Sequence, residues 1–401
     1  MGNKLNEVFE KYMNNKPIFK NKAILQANYM PDLINHRDKE MNVIGEILAS
    51  SLRMEKPSNL FLYGKTGTGK TLTTQYVIKQ LQEMADTNKI PLKTLYINCK
   101  LKKVADTEYR IIAQFIREMG TDVPPTGLPT DEIYKIFLRL IDNKEQIVVL
   151  ILDEIDQLVK KAGDEILYNM TRINTELKKA QMSIIGISND LMFADHLDPR
   201  IKSSLSEEEL TFAPYNAIQL KSILNQRGKI AFVDDVLEQG LIEKCAAFAA
   251  RDHGDARRAL ELLRVSGEVA ERSGKTNVTI DDLDVAESKI EKDRVVDIVS
   301  TQPKQHQLVL YSIMHINATN KKEALTGDIY DYYKVLCDET GIRPLTQRRV
   351  SDIISEFDML GIISGKIISK GRYGRTREIH MALPQDIKLK VKKILKTGLD
   401  L

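Results

Sequence analysis

One stretch of eight residues constrains this chain more than any other feature. Gly64-Lys65-Thr66-Gly67-Thr68-Gly69-Lys70-Thr71 matches the phosphate-binding pattern G-x-x-x-x-G-K-[ST]. An apolar run precedes it at 59–63 and a helical pattern follows at 72–84, which is the context this loop needs. Its glycines let successive N–H groups point at phosphate oxygens, Lys70 reaches the β- and γ-phosphates, and the Thr71 hydroxyl binds Mg²⁺. The sequence predicts a site for ATP or ADP with Mg²⁺, against the alternative of an accidental glycine-rich turn.

An acidic strand end lies further downstream. Residues 150–156 read Leu-Ile-Leu-Asp-Glu-Ile-Asp, an apolar run that ends in two adjacent acids. At the carboxyl end of a strand, Asp153 can hold the Mg²⁺ shell and Glu154 can polarise an attacking water. The alternative is a polar strand end without a metal. We interpret Asp156 as a solvated or capping residue.

Two further polar residues are candidates for the same site. Asn189 follows the next apolar run, where it could bond the γ-phosphate or the water, although an Asn after a strand is usually a turn residue. Arg257 lies in the first turn of a helix after Gly254-Asp255, from which it could reach the phosphates. The alternative for Arg257 is a solvated surface position, and we interpret Arg258 as surface.

The order of apolar patterns predicts three units. Strand candidates alternate with helical patterns in the first half of the chain, at 59–63, 94–98, 147–152 and 183–188. Such β-branched runs separated by helices indicate a parallel sheet buried on both faces. Helices dominate from about 215 to 292, and three helical patterns after 304 precede two short β runs. We predict an α/β base with a parallel sheet over 1–210, an all-helical lid over 211–296, and a winged-helix domain over 297–401.

Charge and cysteine content narrow the class of protein. The net charge is +3, but residues after 300 carry 17 Lys and Arg against 11 Asp and Glu, which suggests a polyanionic partner for that part. The three cysteines are far apart in sequence and predict reduced core thiols. No apolar run is long enough to span a membrane and no secretion signal is visible, so we expect a cytoplasmic, nucleoid-associated protein with no membrane partner.

The predicted third helix of the C-terminal unit looks like a DNA-recognition helix. Residues 346–360 place apolar side chains on one face, with Thr346 as a plausible N-cap. Polar side chains of the first turn could then enter the major groove of double-stranded DNA; they are Gln347, Arg348, Arg349 and Ser351.

A basic hairpin follows this helix. Residues 366–377 contain five basic residues and no acid, with two glycines around the tip. Such a wing could follow phosphates or enter the minor groove; its candidate DNA contacts are Lys370, Arg372, Tyr373, Arg375 and Arg377. The alternatives are an ordinary solvated hairpin and a winged helix that binds protein.

Together these motifs resemble the AAA+ ATPase superfamily, with Walker A at 64–71, Walker B at 152–156, and sensor residues Asn189 and Arg257. More closely, the chain resembles the archaeal origin-recognition and cell-division-control family of DNA replication initiators. That resemblance rests on Tyr29-Met30-Pro31 with His36-Arg37, on 127–130, on 198–205 and on 254–257. It implies a five-stranded base, a helical lid, a nucleotide contact at Tyr29, and binding to replication origins. It also implies partners among the replicative helicase and paralogous initiators.

The resemblance carries two further expectations. An initiator-specific insertion would lie at 108–129, with Arg110 and Arg117 as DNA contacts on one helix face, although a solvated face fits equally. In eukaryotic relatives an arginine that acts in trans on a neighbour's ATP lies where this chain has Ser204. Arg200 is an alternative, and we expect slow ATP hydrolysis in which ATP acts mainly as a conformational ligand.

Two functions from different classes remain open at this point. The first is an ATP-switched initiator that binds origin DNA and helps to recruit or load the replicative helicase. The second is a signalling or transcription-regulatory P-loop ATPase whose winged helix binds protein or promoter DNA. A processive motor is a weaker third reading, because the trans-acting arginine is missing.

Overall fold

The computed structural model describes residues 16–100, 107–124, 126–205, 207–319, 324–369 and 375–399, together with residues 6, 9, 10 and 13. The chain divides into two compact units, residues 1–283 and 284–401. In the first unit a parallel sheet with its helices forms what we call the base, residues 38–211. The helices from 217 to 272 form what we call the lid.

The base is built on five parallel strands in the order β2-β3-β4-β1-β5. Their bounds are Leu60–Tyr63 (β1), Leu92–Asn98 (β2), Ile147–Asp153 (β3), Gln181–Ser188 (β4) and Glu208–Thr211 (β5). Every residue of β3 is buried, as expected for a central strand covered on both faces. The four strands predicted from apolar runs are confirmed.

Helices cover both faces of this sheet. In the base they are Asp38–Leu48 (α1), Lys70–Thr87 (α2), Glu108–Glu118 (α3), Thr130–Ile141 (α4), Ile155–Ala162 (α5), Glu165–Arg172 (α6) and Pro199–Leu205 (α7). The lid helices are Ala217–Ala231 (α8), Leu241–Arg251 (α9) and Ala256–Arg272 (α10). Short 3₁₀ turns lie at Lys22–Leu25, Ala49–Arg53, Ile173–Thr175 and Phe193–His196.

The segment before α1 attaches to the lid. The backbone N–H groups of Lys20 and Asn21 both donate to the Ala231 carbonyl, at 2.8 and 3.1 Å. The rings of Phe19 and Phe232 lie 4.6 Å apart. Helix α1, in contrast, buries Ile44 and Leu48 in the core of the base. The predicted boundary at 210/211 stays a prediction. Residues 18–35 contact the lid.

The second unit has the winged-helix pattern of helices followed by a small sheet. Helices Lys304–Thr319 (α12), Thr326–Thr340 (α13) and Gln347–Met359 (α14) match the three predicted helical patterns; they follow Ile280–Thr301 (α11), and the last helix is Gln385–Leu399 (α15). The antiparallel sheet has the order β6-β8-β7, with bounds Ala324–Leu325 (β6), Ile363–Ser369 (β7) and Arg375–Met381 (β8). A core that includes Tyr333, Ile353 and Phe357 joins these elements.

Two sequence-based expectations about composition can be compared with the structure. Cys99, Cys245 and Cys337 are buried, and none of them is in a disulfide. Among the described residues, none of the helices combines the length and apolar content that crossing a membrane requires.

Candidate nucleotide site and nucleic-acid interface

The phosphate-binding loop connects β1 to α2, and the lid packs directly against it. Gly67 and Gly69 have φ angles of 71° and 90°, which L side chains rarely adopt. A Cβ on Gly67 would overlap the Asp255 carboxylate, and one on Gly69 would lie 2.7 Å from the Tyr215 hydroxyl oxygen. The Ala256 N–H also donates to the Gly67 carbonyl at 3.1 Å. These glycines are therefore required for close approach as well as for their conformation.

Lys70 begins α2 and is buried, with 4% of its surface exposed. Its Nζ donates to the carbonyls of Gly64 and Lys65 at 2.6 and 2.8 Å, and to Asn189 Oδ1 at 3.0 Å. Burial lowers the pKa of Lys70 to about 8, although nearby Asp153 acts to raise it. Phosphate oxygens bound beside this ammonium would stabilise its charge.

Asp153 ends β3 and brings together three donors. Its Oδ2 accepts from Thr71 Oγ1 at 3.0 Å and from the Tyr96 hydroxyl at 2.7 Å, and its Oδ1 accepts from the Glu154 N–H at 3.0 Å. Burial and the carboxylate of Asp153 raise the pKa of Tyr96, so Tyr96 stays a donor. A hydroxyl beside a carboxylate is the hard oxygen set that Mg²⁺ prefers, so Thr71 and Asp153 fit a magnesium site. Sequence reasoning missed Tyr96, which lies on a neighbouring strand.

Glu154 follows Asp153 in the left-handed conformation, with a φ of 54°, just before α5. Lys100 lies 3.5 Å from its carboxylate. Asp156, predicted to be solvated or to cap, is instead 3% exposed. It accepts from Ser188 Oγ at 3.3 Å and ties α5 to β4. That prediction was wrong because Asp156, in the first turn of α5, faces Ser188 of β4 and not solvent.

Asn189 and Arg257 reach the same cavity from base and lid. The cavity is lined by Lys70, Thr71, Asp153, Glu154, Asn189 and Arg257. Asn189 accepts from Lys70, whereas Arg257 is exposed in the first turn of α10, whose N-cap Asp255 accepts from the Arg257 N–H at 2.7 Å. Arg258, predicted at the surface, has a side chain only 14% exposed that lies 3.9 Å from Asp252. The helix turn packs Arg258 toward the preceding loop.

The other end of the cavity is less polar and suits a nucleoside. Tyr29, Pro31 and Ile34 line it from the N-terminal segment, and Ile223 and Leu260 line it from the lid. The Arg227 guanidinium lies 4.4 Å from the centre of the Tyr29 ring. Burial lowers the pKa of Arg227. Tyr29 thus lines the cavity, and its contact with the nucleotide stays a prediction. Arg227 had no motif to mark it in the sequence.

In the second unit, α14 presents its first turn to solvent. Thr346 caps the helix by accepting from the Arg349 N–H at 3.4 Å, while Ile353 and Phe357 are buried. Gln347, Arg348 and Arg349 are exposed and Ser351 is half-buried. Arg349 lies 3.8 Å from Asp352 and 3.6 Å from Glu356, so part of its charge is offset within the helix.

The wing is described only in part. Lys370, Arg372 and Tyr373 lie outside the described residues, as does the side chain of Arg375. Arg377 on β8 donates through Nη1 to Ser355 Oγ of α14 at 2.8 Å. Arg377 therefore joins the sheet to α14.

Three further arginines named from the sequence lie in the base. Arg110 and Arg117 are on α3 and half-buried, and Arg117 Nη2 donates to the Val123 carbonyl at 3.0 Å. The Arg200 side chain is 73% exposed and lies 2.9 Å from Asp198. Hydrogen bonds from Arg200 lower the pKa of Asp198 to about 2.

Three family models match consecutive parts of the chain. They are an AAA domain over residues 53–191, a Cdc6 AAA+ ATPase-type lid domain over 221–288, and a CDC6 C-terminal winged helix domain over 297–391. The predicted fold class is thereby confirmed.

Curated relatives align along almost the whole chain. The ORC1-type DNA replication protein of Thermococcus onnurineus is 51% identical, covering 94% of this chain and 92% of the relative. ORC1-type DNA replication protein 1 of Methanosarcina mazei is also 51% identical, covering 96% and 93%.

Solved structures agree with these relatives. The Aeropyrum pernix ORC1 protein in complex with DNA matches with a TM-score of 0.82 at 43% identity, covering 95% of this chain and 97% of that one. The ORC2 protein of the same organism, solved as ADPNP–ADP complexes, matches with a TM-score of 0.64 at 21% identity, covering 96% and 100%. The second likeness is one of fold.

Proposed function

Because this chain belongs to the family of ORC1-type DNA replication proteins, we propose that it binds origin DNA under the control of ATP and helps to recruit or load the replicative helicase. It is a DNA replication initiator with an AAA+ ATPase domain and a C-terminal winged helix. The observation that carries the nucleotide part of the proposal is the cavity that brings Lys70, Asp153 and Asn189 of the base together with Arg257 of the lid.

In this proposal the two ends of the cavity bind different parts of ATP or ADP. The N–H groups of the loop 64–71 and the Lys70 ammonium hold the phosphates, while Tyr29 and the apolar lining hold the nucleoside. Arg257 adds a positive charge from the lid. A ligand held from both sides would set the angle between base and lid, which is how nucleotide state would act as a switch.

For hydrolysis, each polar residue at the strand ends has a separate role. Thr71 and Asp153 would hold Mg²⁺, which when bound offsets negative charge on the phosphates. The Glu154 carboxylate would accept a proton from water as general base. The Asn189 amide, held by Lys70, would orient that water or the γ-phosphate.

We propose that hydrolysis is slow. A trans-acting arginine can contribute roughly 10³–10⁵ in rate, and this chain has Ser204 at the position that resembles that of the arginine. Arg200 is exposed enough to meet a neighbour, but it is held by Asp198 of its own chain. ATP then serves mainly as a conformational ligand.

For DNA, the proposal places the first turn of α14 in the major groove and the wing against the backbone or minor groove. Gln347 and Arg348 are exposed side chains of that turn. The proposed wing contacts remain Lys370, Arg372, Tyr373, Arg375 and Arg377. Arg110 and Arg117 of α3 are proposed as additional contacts from the base.

Retention of the helicase on origin DNA tests this function. Origin duplex on beads is incubated with the purified replicative helicase of the same organism, with and without this protein, in ATP or ADP. We expect the helicase to be retained only with the protein and on origin DNA, and to differ between the two nucleotides. Equal retention on scrambled duplex, or none at all while the protein itself stays bound, would point instead to a regulatory ATPase that binds promoter DNA.

A further inference from the structure

Two segments of chain join the base to the lid. The first is residues 35–37, because Asn35 Nδ2 donates to Gln226 Oε1 of the lid at 2.9 Å, whereas α1 from Asp38 onward packs on the base. The second is residues 212–216, between the last strand of the base and the Asn216 cap of α8. Any change of angle between base and lid must be accommodated at these two crossings.

One side chain of the first crossing contacts both the second crossing and the phosphate-binding loop. Arg37, which is 3% exposed, donates through Nε to the Thr68 carbonyl of the loop at 3.0 Å. Through Nη2 it donates to the Ala213 carbonyl at 2.5 Å. Its guanidinium also lies 4.0 Å from the centre of the Tyr215 ring, and Glu40 offsets its charge at 2.6 Å. Sequence reasoning noted Arg37 only as part of a family resemblance.

The contacts continue from this arginine into the lid. The Tyr215 N–H donates to the Gly254 carbonyl at 3.2 Å. The two residues after Gly254 also contact the loop, because a Cβ on Gly67 would meet Asp255 and the Ala256 N–H donates to Gly67. Loop, Arg37, second crossing and lid turn therefore form a closed ring of contacts. Arg37 is not among the described residues that line the cavity.

We infer that Arg37 is a positioning residue that ties both base–lid crossings to the phosphate-binding loop, so that occupation of the loop sets the position of the lid. A guanidinium is suited to this role because its planar fork meets several fixed acceptors at once, which a lysine ammonium cannot match. The inference rests on the proposed nucleotide switch and names the residue through which that switch acts.

The test measures the distance between base and lid by pulsed electron–electron double resonance. Cysteines for spin labels are introduced by Met84→Cys on α2 and Ala247→Cys on α9, both at exposed positions. The three native cysteines are buried and should label poorly. Distances are recorded without nucleotide, with saturating ADP and with saturating slow ATP analogue, in four backgrounds: unmodified, Arg37→Lys, Tyr215→Leu, and the control Arg53→Lys, which changes an exposed arginine of the base.

We expect nucleotide to shift or narrow the distance distribution in the unmodified and Arg53→Lys backgrounds. In Arg37→Lys the ADP Kd should rise about tenfold, the effect of losing one charge-assisted hydrogen bond, and the distribution at saturation should match that without nucleotide. Tyr215→Leu removes the ring beneath the guanidinium and should give the same uncoupling. It keeps the test possible if Arg37→Lys does not fold. A full nucleotide response in either variant overturns the inference. No response in the unmodified background contradicts the switch itself.

Discussion

The charge state of Lys70 should depend on what the cavity holds. Burial lowers its pKa to about 8, and phosphate oxygens beside it would raise that pKa. Nucleotide affinity should therefore be highest below pH 8, where Lys70 is protonated before the nucleotide binds. It should fall as the pH rises above 8, by at most about tenfold per pH unit, until the pKa of the bound state is passed.

Calorimetric titration with ADP between pH 7 and 9.5 measures this dependence, and proton uptake on binding should appear at pH 8.5. Lys70→Arg is the control, since a guanidinium does not titrate in this range and its affinity should not change with pH. An affinity of the unmodified protein that stays constant to pH 9.5 would show that the phosphates do not meet Lys70.

The general-base role proposed for Glu154 predicts that its substitution affects hydrolysis without affecting nucleotide binding. Glu154→Gln keeps the size of the side chain but removes the base, so ADP affinity should change less than threefold while ATP turnover falls about 10²-fold or more. The measurement is phosphate release at saturating ATP beside equilibrium binding. Glu165→Gln, an exposed acid at the start of α6, is the matched control. Unchanged turnover in Glu154→Gln would remove Glu154 from the proposed site.

The polar residues of the cavity could be predicted to different degrees. Lys70, Thr71 and Asp153 belong to short local motifs, so spacing alone predicted them, and the structure brings them together. Tyr96, Arg37 and Arg227 reach the site or its loop from distant segments, and each is an ordinary half-buried or buried residue in its own local sequence. Only the packing of those segments around the site reveals them.

At the scale of elements, the pattern of apolar residues predicted long and central elements better than the strand at the edge of the sheet. Strand β3 is buried along its whole length and was visible as an apolar run. Strand β5 contains Glu208 and Glu209 and pairs only with β1 at the edge of the sheet, so its residues carry no strand pattern. It was expected only from the family resemblance. The docking of residues 18–21 on the lid depends on backbone hydrogen bonds, which no side-chain pattern reports.

The two adjacent arginines in the first turn of helix α14 should contribute unequally to origin binding. Arg349 shares its charge with Asp352 and Glu356, so Arg348→Ala should weaken origin binding more than Arg349→Ala. We expect about tenfold or more for Arg348→Ala, within the roughly 1–3 kcal/mol of a base contact, together with a smaller preference for origin over scrambled DNA. Fluorescence anisotropy measures both, with Lys396→Ala on α15 as the exposed control. A larger loss in Arg349→Ala would reverse this assignment.

At the scale of the whole molecule, the proposed nucleotide switch lies in the first unit and the proposed recognition of DNA bases lies in the second. Chain charge follows the same division, since residues after 300 are net basic whereas the preceding 300 residues are net acidic. Electrostatic contacts alone would bind any duplex, so an initiator needs base contacts in addition. Sequence preference is therefore the property that separates origin binding from general affinity for DNA.

The most direct measurement is a titration of the full chain onto labelled origin duplex and scrambled duplex, with ADP or a slow ATP analogue, across a salt series. We predict that origin DNA is preferred by tens-fold or more, that the preference depends on nucleotide, and that log affinity falls by about 0.9 per phosphate contact for each log unit of salt. Weak binding that ignores sequence and nucleotide at every salt concentration would contradict the account.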